Sequence, residues 1–212
     1  MTYMENTYVC LAAPLILAIL GLKGSYKRGL IFLLCGMTTC LMSAYISSYF
    51  AVLSGTDAVS ATHSISPAVE EILKFLPTAF YLQIFEPKKK AAISGIISIA
   101  VGFATFENVC YLTSYGTSDI VSLLIRGFGT GAMHVLCGMM VSLGLFFLWD
   151  KTWVRMVGTF AVLCFAVTFH AIFNIMVSEG GISLSIGSAI PLAVILIYTV
   201  YTRIHNINIW TE

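Results

Sequence analysis

The chain has 212 residues, of which 58% are hydrophobic and only 10% are charged, and its mean hydropathy is +0.93. Soluble domains carry about 25% charged residues, so this composition predicts a polytopic membrane protein and excludes a soluble domain. The net charge of +1 gives no basic footprint for a nucleic acid, and we expect no nucleic-acid partner.

Apolar runs long enough to cross a lipid bilayer follow one another along the chain. A spanning helix needs about 20 mostly apolar residues. The third run is the least apolar because it carries Glu70, Glu71 and Lys74, but Pro67 suits a first helical turn and the residues after Lys74 are apolar. The predicted spans are roughly 6–22, 29–53, 66–85, 91–112, 120–149, 153–177 and 182–202. The sequence therefore predicts an all-α fold, a bundle of about seven transmembrane helices that forms a single integral membrane domain over residues 1–212.

Charges alternate between the predicted loops. Basic residues occur at Lys23–Arg28, Lys88–Lys90, Lys151–Arg155 and, in the tail, Arg203, whereas the loops between them carry Asp57, Asp119 and Glu179. Because loops rich in Lys and Arg stay in the cytoplasm, this alternation predicts an outside N-terminus and a cytoplasmic C-terminus in the cell membrane.

Ionisable side chains inside the predicted spans are the strongest functional signal. A charge at the centre of a membrane helix costs at least about 2.5 kcal/mol, so such residues are rare and are usually functional or paired. With the predicted orientation, four spans place polar groups between the outer face and the middle of the bilayer, which predicts a shared site. These groups are Glu70, Glu71, Lys74, Glu107, Asn108, Arg126, His134, His170 and Asn174.

The residue types suit hydrolysis of a peptide bond. That reaction needs an activated water, a stabilised oxyanion and a proton for the leaving amine. Glu70 and Glu71 are both candidates for the base, and His170 with Asn174 are candidate donors to the oxyanion.

A metal is the alternative to this arrangement. His134, His170, Glu71 and Glu107 are candidate ligands for zinc or another divalent metal, since His and carboxylate mixtures are common in catalytic zinc sites. No HExxH motif occurs, and the sequence leaves the metal-dependent and metal-free mechanisms open.

Other interpretations of the same residues are structural or belong to other classes of protein. Glu107 with Asn108 is also typical of hydrogen bonding between helices, and Arg126 either lines the site or pairs with Glu107. Buried carboxylates and histidines also occur in proton- or ion-coupled transporters. A third possibility is a non-catalytic scaffold that binds another membrane protein through a polar groove.

Four motifs carry a resemblance to a known family. Glu70-Glu71-Ile72-Leu73-Lys74 fits E-E-x-x-K, the segment 103–108 fits F-x-x-x-E-N, His134 stands alone in the fifth span, and the segment 170–174 fits H-x-x-x-N. In this order, each on its own span, they resemble the PrsW family of membrane proteases, which is related to the CAAX-prenyl proteases and the bacterial CPBP proteins. The motif-bearing core covers about residues 64–178.

The resemblance implies an intramembrane protease whose catalytic residues are Glu70, Glu71, His134 and His170. It also implies a membrane-anchored protein substrate, of which an anti-sigma factor cut first on its extracytoplasmic side is the family's example. The wider CAAX-protease pattern has His where Glu107 stands here, so His134 is expected to supply that imidazole.

Overall fold

The computed structural model describes residues 4–85, 87–116, 119–148 and 152–205, which form eight helices and, within those ranges, no strand. The helices are α1 (Met4–Gly21), α2 (Gly24–Ser54), α3 (Ala58–Ser64), α4 (Ser66–Phe85), α5 (Lys89–Tyr115), α6 (Ile120–Leu148), α7 (Thr152–Glu179) and α8 (Gly181–Ile204). The predicted all-α bundle is confirmed. Each predicted span corresponds to one long helix, with ends that differ by a few residues.

Six of the helices in the described ranges are long and apolar enough to cross a membrane, namely α1, α2, α5, α6, α7 and α8. The chain is therefore a multi-pass membrane protein. Helix α4 is not among the six, and it is the helix that carries Glu70, Glu71 and Lys74. A seventh span at α4 stays a prediction.

The two faces of α4 differ sharply in polarity. Its outward face is a stripe of Ile72, Leu76, Phe80 and Ile84, whose exposed fractions lie between 46% and 61%. Its inward face carries Glu71 and Lys74, which are 3% and 7% exposed. An apolar stripe outside and charges inside is the pattern that a lipid-facing helix of a polar bundle requires, so the burial pattern favours membrane insertion of α4.

The short helix α3 lies in a segment that the sequence prediction left as a loop. Asp57 caps it by accepting hydrogen bonds from the backbone N–H groups of Val59 and Ser60, both at 3.0 Å. Asp119 caps α6 in the same way through Ser122. Hydrogen bonds from Ser60 lower the pKa of Asp57, and those from Ser122 lower the pKa of Asp119. These acidic residues therefore have a local structural role as N-caps.

Helices α2 and α5 pack backbone against backbone. A Cβ atom added to Gly36 would lie 2.0 Å from the carbonyl oxygen of Ile99, and one added to Gly102 would lie 2.0 Å from that of Leu33. Only glycine fits at these two positions. Helix α5 also packs against α4 and α6, and α6 packs against α7, which brings the four motif-bearing helices together.

Part of the predicted basic loops falls outside the described residues. Lys151 lies outside them, and so do the side chains of Lys89, Lys90 and Arg155. Lys23 and Lys88 directly precede α2 and α5.

Candidate active site

Helix α4 contributes a buried ion pair to the site. Lys74 donates from Nζ to Oε1 of Glu71 at 2.6 Å, one turn away on the same helix. Both side chains are almost fully covered by the rest of the chain. A buried charge without a partner is strongly destabilising, so each member of this pair holds the other in place.

His170 of α7 lies between the two adjacent glutamates. Its Nδ1 is 2.8 Å from Oε1 of Glu71, and its Nε2 is 3.7 Å from Oε2 of Glu70. That Glu70 oxygen is buried and has no hydrogen-bond partner among the described residues. Glu71 is thus engaged on two sides, whereas Glu70 keeps an oxygen free beside the imidazole.

His134 of α6 is fully buried and has a partner at each ring nitrogen. Its Nδ1 lies 2.9 Å from Nζ of Lys74, and its Nε2 lies 2.5 Å from Oε2 of Glu107. Because an ammonium group only donates, Nδ1 accepts from Lys74 and Nε2 carries the hydrogen that points to Glu107. The ring of His170 meets that of His134 edge-on, with centroids 5.0 Å apart.

Glu107 and Arg126 form the more open side of the site. Arg126 donates to Oε1 of Glu107 at 2.7 Å, and its guanidinium carbon lies 4.2 Å from the centre of the Tyr111 ring. The side chain of Arg126 is 22% exposed and that of Glu107 is 28% exposed, whereas the groups deeper in the site are buried. Of the two interpretations of Arg126, its pairing with Glu107 is the arrangement observed.

The two asparagines lie at different places. Asn108 donates from Nδ2 to the carbonyl oxygen of Gly127 at 3.3 Å, beside Arg126. Asn174 donates to the carbonyl oxygen of Thr62 at 2.9 Å. The amide of Asn174, a candidate oxyanion donor, is therefore engaged with α3 and ties α7 to that helix.

Two aromatic residues belong to the site although the sequence analysis gave them no role of their own. The Phe103 ring lies 4.9 Å from Nζ of Lys74 and 4.9 Å from the centre of the His134 ring, and it is fully buried. Tyr111 covers Arg126. Both lie four residues from Glu107 on α5, and that spacing placed them on the same helix face.

The site lies below one end of the bundle. At about 1.5 Å per residue, Arg126 is about 9 Å from the start of α6, Glu107 about 12 Å from the end of α5, and His170 about 14 Å from the end of α7. His134 is deepest, about 21 Å below the start of α6. The polar groups thus share one part of the bundle, well inside its ends.

Three of these residues fit a metal ion in type and spacing. Glu70, His134 and His170 each offer one ligand atom, and the three atoms lie within 4.8 Å of one another. The unpartnered Oε2 of Glu70 is the kind of orphaned atom that a metal would satisfy. A carboxylate behind the second nitrogen of a ligating His is typical of metal sites, and Glu71 has that position behind His170. The group contains Glu70 in place of the Glu71 and Glu107 considered from the sequence.

Comparison with known proteins identifies the family. Residues 27–202 match the model of the PrsW family intramembrane metalloproteases, which covers most of the chain. The chain belongs to the PrsW family. No curated protein and no solved structure matches it. The PrsW resemblance noted from the motifs is confirmed, and with it the class of enzyme, an intramembrane peptidase.

Proposed function

We propose that this PrsW-family protein is an endopeptidase that cleaves a membrane-anchored protein near the outer face of the membrane with a water activated by glutamate and histidine. The observation that carries the proposal is the contrast between the two adjacent glutamates. Oε2 of Glu70 is buried 3.7 Å from Nε2 of His170 and has no hydrogen-bond partner in the described ranges, whereas Glu71 is held by Lys74 and His170.

In this proposal Glu70 is the base. Its free Oε2 accepts the proton of the attacking water and later returns it to the leaving amine, as general acid–base catalysis requires. Glu71 acts on the imidazole of His170. By accepting from Nδ1–H it fixes the tautomer and leaves Nε2 facing Glu70, which keeps the water between two proton acceptors.

The oxyanion is stabilised from the α5–α6 side. Arg126 and the Nε2–H of His134 are the donors there, and Glu107 holds both of them at present. In the reaction the single Nε2–H of His134 would turn from Glu107 to the oxyanion, whereas Arg126 has N–H groups besides the one that bonds to Glu107. Glu107 therefore acts as a positioning residue for two donors that lie on another helix.

The family description supports a metal-dependent form of this site. In that form Glu70, His134 and His170 would hold the ion, so Glu70 would be a ligand and not the base, and a bound divalent metal would supply Lewis-acid activation of water and of the scissile carbonyl. His134 would have to exchange one of its two partners, Lys74 or Glu107, to bind it. Glu71 would hold the orientation of the His170 ring by accepting a hydrogen bond from its other nitrogen, Nδ1.

The substrate and the orientation follow from the position of the site. If α4 crosses the membrane, the basic loops are cytoplasmic and the site opens toward the outside. A single-span protein whose extracytoplasmic side is cut first, of which a membrane-anchored anti-sigma factor is an example, suits this geometry. The partners are then that substrate and the lipid bilayer.

Metal content measured beside cleavage tests the proposal. Protein purified without chelator in lipid nanodiscs would be analysed for zinc and other divalent ions by mass spectrometry and assayed with single-span peptides, before and after chelation. We expect stoichiometric metal, peptide cleavage, and loss of cleavage on chelation that added metal restores. Cleavage that survives complete metal removal would support the metal-free glutamate mechanism and contradict the metal-dependent form of the site. Absence of cleavage of every peptide would contradict the protease proposal.

A further inference from the structure

Two buried polar atoms lie on the open side of the site. Nε of Arg126 and Oδ1 of Asn108 are buried, and neither has a hydrogen-bond partner within the part of the chain that the structure describes. Nη2 of Arg126 donates to Glu107, and Nδ2 of Asn108 donates to the carbonyl oxygen of Gly127. A buried polar atom without a partner is unfavourable, so these two atoms point to a ligand.

The two atoms have complementary needs. Arg126 Nε–H is a donor without an acceptor, and Asn108 Oδ1 is an acceptor without a donor. They sit close together in the fold, because Asn108 donates to Gly127, the residue next to Arg126. A ligand that satisfies both must offer one acceptor and one donor a short distance apart, as the C=O and N–H groups of a peptide main chain do.

Helix α6 leaves room for such a ligand. A Cβ atom added to Gly127 or to Gly131 would have no atom within 4 Å, whereas one added to Gly129 would lie 2.7 Å from the side chain of Ser188. The face of α6 that carries Gly127 and Gly131 is thus open, and the face that carries Gly129 is packed against α8.

We propose that this rim, formed by Asn108, Arg126 and Gly127, binds the main chain of an extended substrate segment. A substrate C=O accepts from Nε–H of Arg126, and a substrate N–H donates to Oδ1 of Asn108. The inference rests on the proposed protease function and adds how the substrate is selected. A helical segment has its main-chain groups satisfied internally, so the rim recognises only a segment that has unwound.

The test is a thermodynamic cycle between the rim and individual substrate N–H groups. The probes are synthetic peptides with one Leu/Ala span followed by alternating Val and Thr, which favour extended backbone. In each peptide one successive N–H of the Val/Thr segment is N-methylated. Dissociation constants are measured for the full-length protein in nanodiscs, with and without Asn108→Leu. The matched control is Thr105→Val, because among the described residues the Thr105 hydroxyl bonds only to the carbonyl oxygen of Val101 on its own helix.

We expect one N-methyl position to weaken binding to the unchanged protein at least about fivefold, the loss of about one hydrogen bond. Asn108→Leu should remove that difference, and Thr105→Val should keep it. Arg126→Lys, which keeps the cation for Glu107 but lacks Nε–H, should weaken binding of all unmethylated peptides by a similar factor.

Two results would contradict the proposal that the rim binds the substrate main chain. One is an N-methyl penalty that is equal in the unchanged protein and in Asn108→Leu. The other is no measurable binding of any peptide. Cleavage of the same peptides separates the two proposals. Peptides that are cleaved without coupling to Asn108 contradict the rim alone, whereas coupling without cleavage contradicts the protease function alone.

Discussion

Nδ1 of His170 lies 2.8 Å from Oε1 of Glu71, although 99 residues separate them in the chain. The same carboxylate oxygen accepts a hydrogen bond from Lys74 at 2.6 Å. Glu71 therefore joins α4 to α7 and satisfies a buried cation, while Oε2 of Glu70 has no hydrogen-bond partner among the described residues. Neighbours in the sequence thus have different surroundings, and in the proposed mechanism Glu71 holds the site together while Glu70 takes part in the chemistry.

This division of roles predicts different results when Glu70 and Glu71 are each replaced by glutamine. Glu70→Gln should reduce cleavage at least about 100-fold, since the base is lost, with little change in thermal stability. Glu71→Gln should reduce cleavage and also lower the free energy of unfolding by about 3–5 kcal/mol, because Lys74 is left buried without its counter-charge. Cleavage assays and thermal unfolding in the same detergent measure both. Equal stability loss in the two variants would contradict the assignment.

A second prediction concerns Lys74. Lys74→Met should abolish cleavage and destabilise the protein. The substitution leaves the buried Glu71 carboxylate without its counter-charge and removes the hydrogen-bond donor to Nδ1 of His134. In the double variant Lys74→Met, Glu71→Leu, stability should largely return, since an apolar pair can replace a buried ion pair, while cleavage should stay absent. Unfolding of the single and double variants is the measurement. Strictly additive losses in the double variant would mean that the two residues do not act as a pair.

A third prediction concerns Glu107 as the residue that positions His134 and Arg126. Glu107→Ala should reduce cleavage about as much as His134→Ala, because it releases both donors at once. The double variant Glu107→Ala, His134→Ala should be no worse than either single one, as groups that act as a unit are non-additive. Arg126→Ala should be milder, since it leaves the contact between Glu107 and His134. A Glu107→Ala variant with full cleavage would remove Glu107 from the mechanism.

A fourth prediction is the topology. In a cysteine-free background, single cysteines at Ser25 and Thr56, at opposite ends of α2, should react oppositely with a membrane-impermeant thiol reagent in intact cells. Thr56→Cys should be labelled from outside, and Ser25→Cys only after lysis, because the positive charges of Lys23 and Arg28 predict that their loop is cytoplasmic. Labelling of Ser25→Cys in intact cells would invert the orientation and move the site to the inner leaflet.

The sequence predicted the helices well, because length and apolarity decide what spans a bilayer. It missed α3, whose seven residues (Ala58–Ser64) are far too short for that signal and depend on the cap at Asp57. The spacing of Lys74 from Glu70 and from Glu71 allowed a contact with either glutamate, and in the structure Lys74 pairs with Glu71.

Contacts between residues on different helices could not be predicted from the sequence. Helical periodicity fixes the face of a residue but not its neighbour on another helix, so Lys74 was not expected to reach His134, nor Asn174 to bond to Thr62. For the same reason the sequence left Glu70 and Glu71 equivalent as candidate bases. The packing of α7 against α4 distinguishes them.

The central claim is hydrolysis by one catalytic set, and mapping of the cut in a single-span peptide tests it most directly. The peptide would be incubated in nanodiscs with the unchanged protein and with Glu70→Ala, Glu71→Ala, His134→Ala and His170→Ala, each shown to be inserted and folded, and the products identified by mass spectrometry. We predict one cut in the outer half of the peptide's span for the unchanged protein, and less than about 1% of that product for each variant. Near-normal cleavage by both His134→Ala and His170→Ala would contradict the account, since neither a histidine-assisted nor a metal-dependent mechanism would then survive.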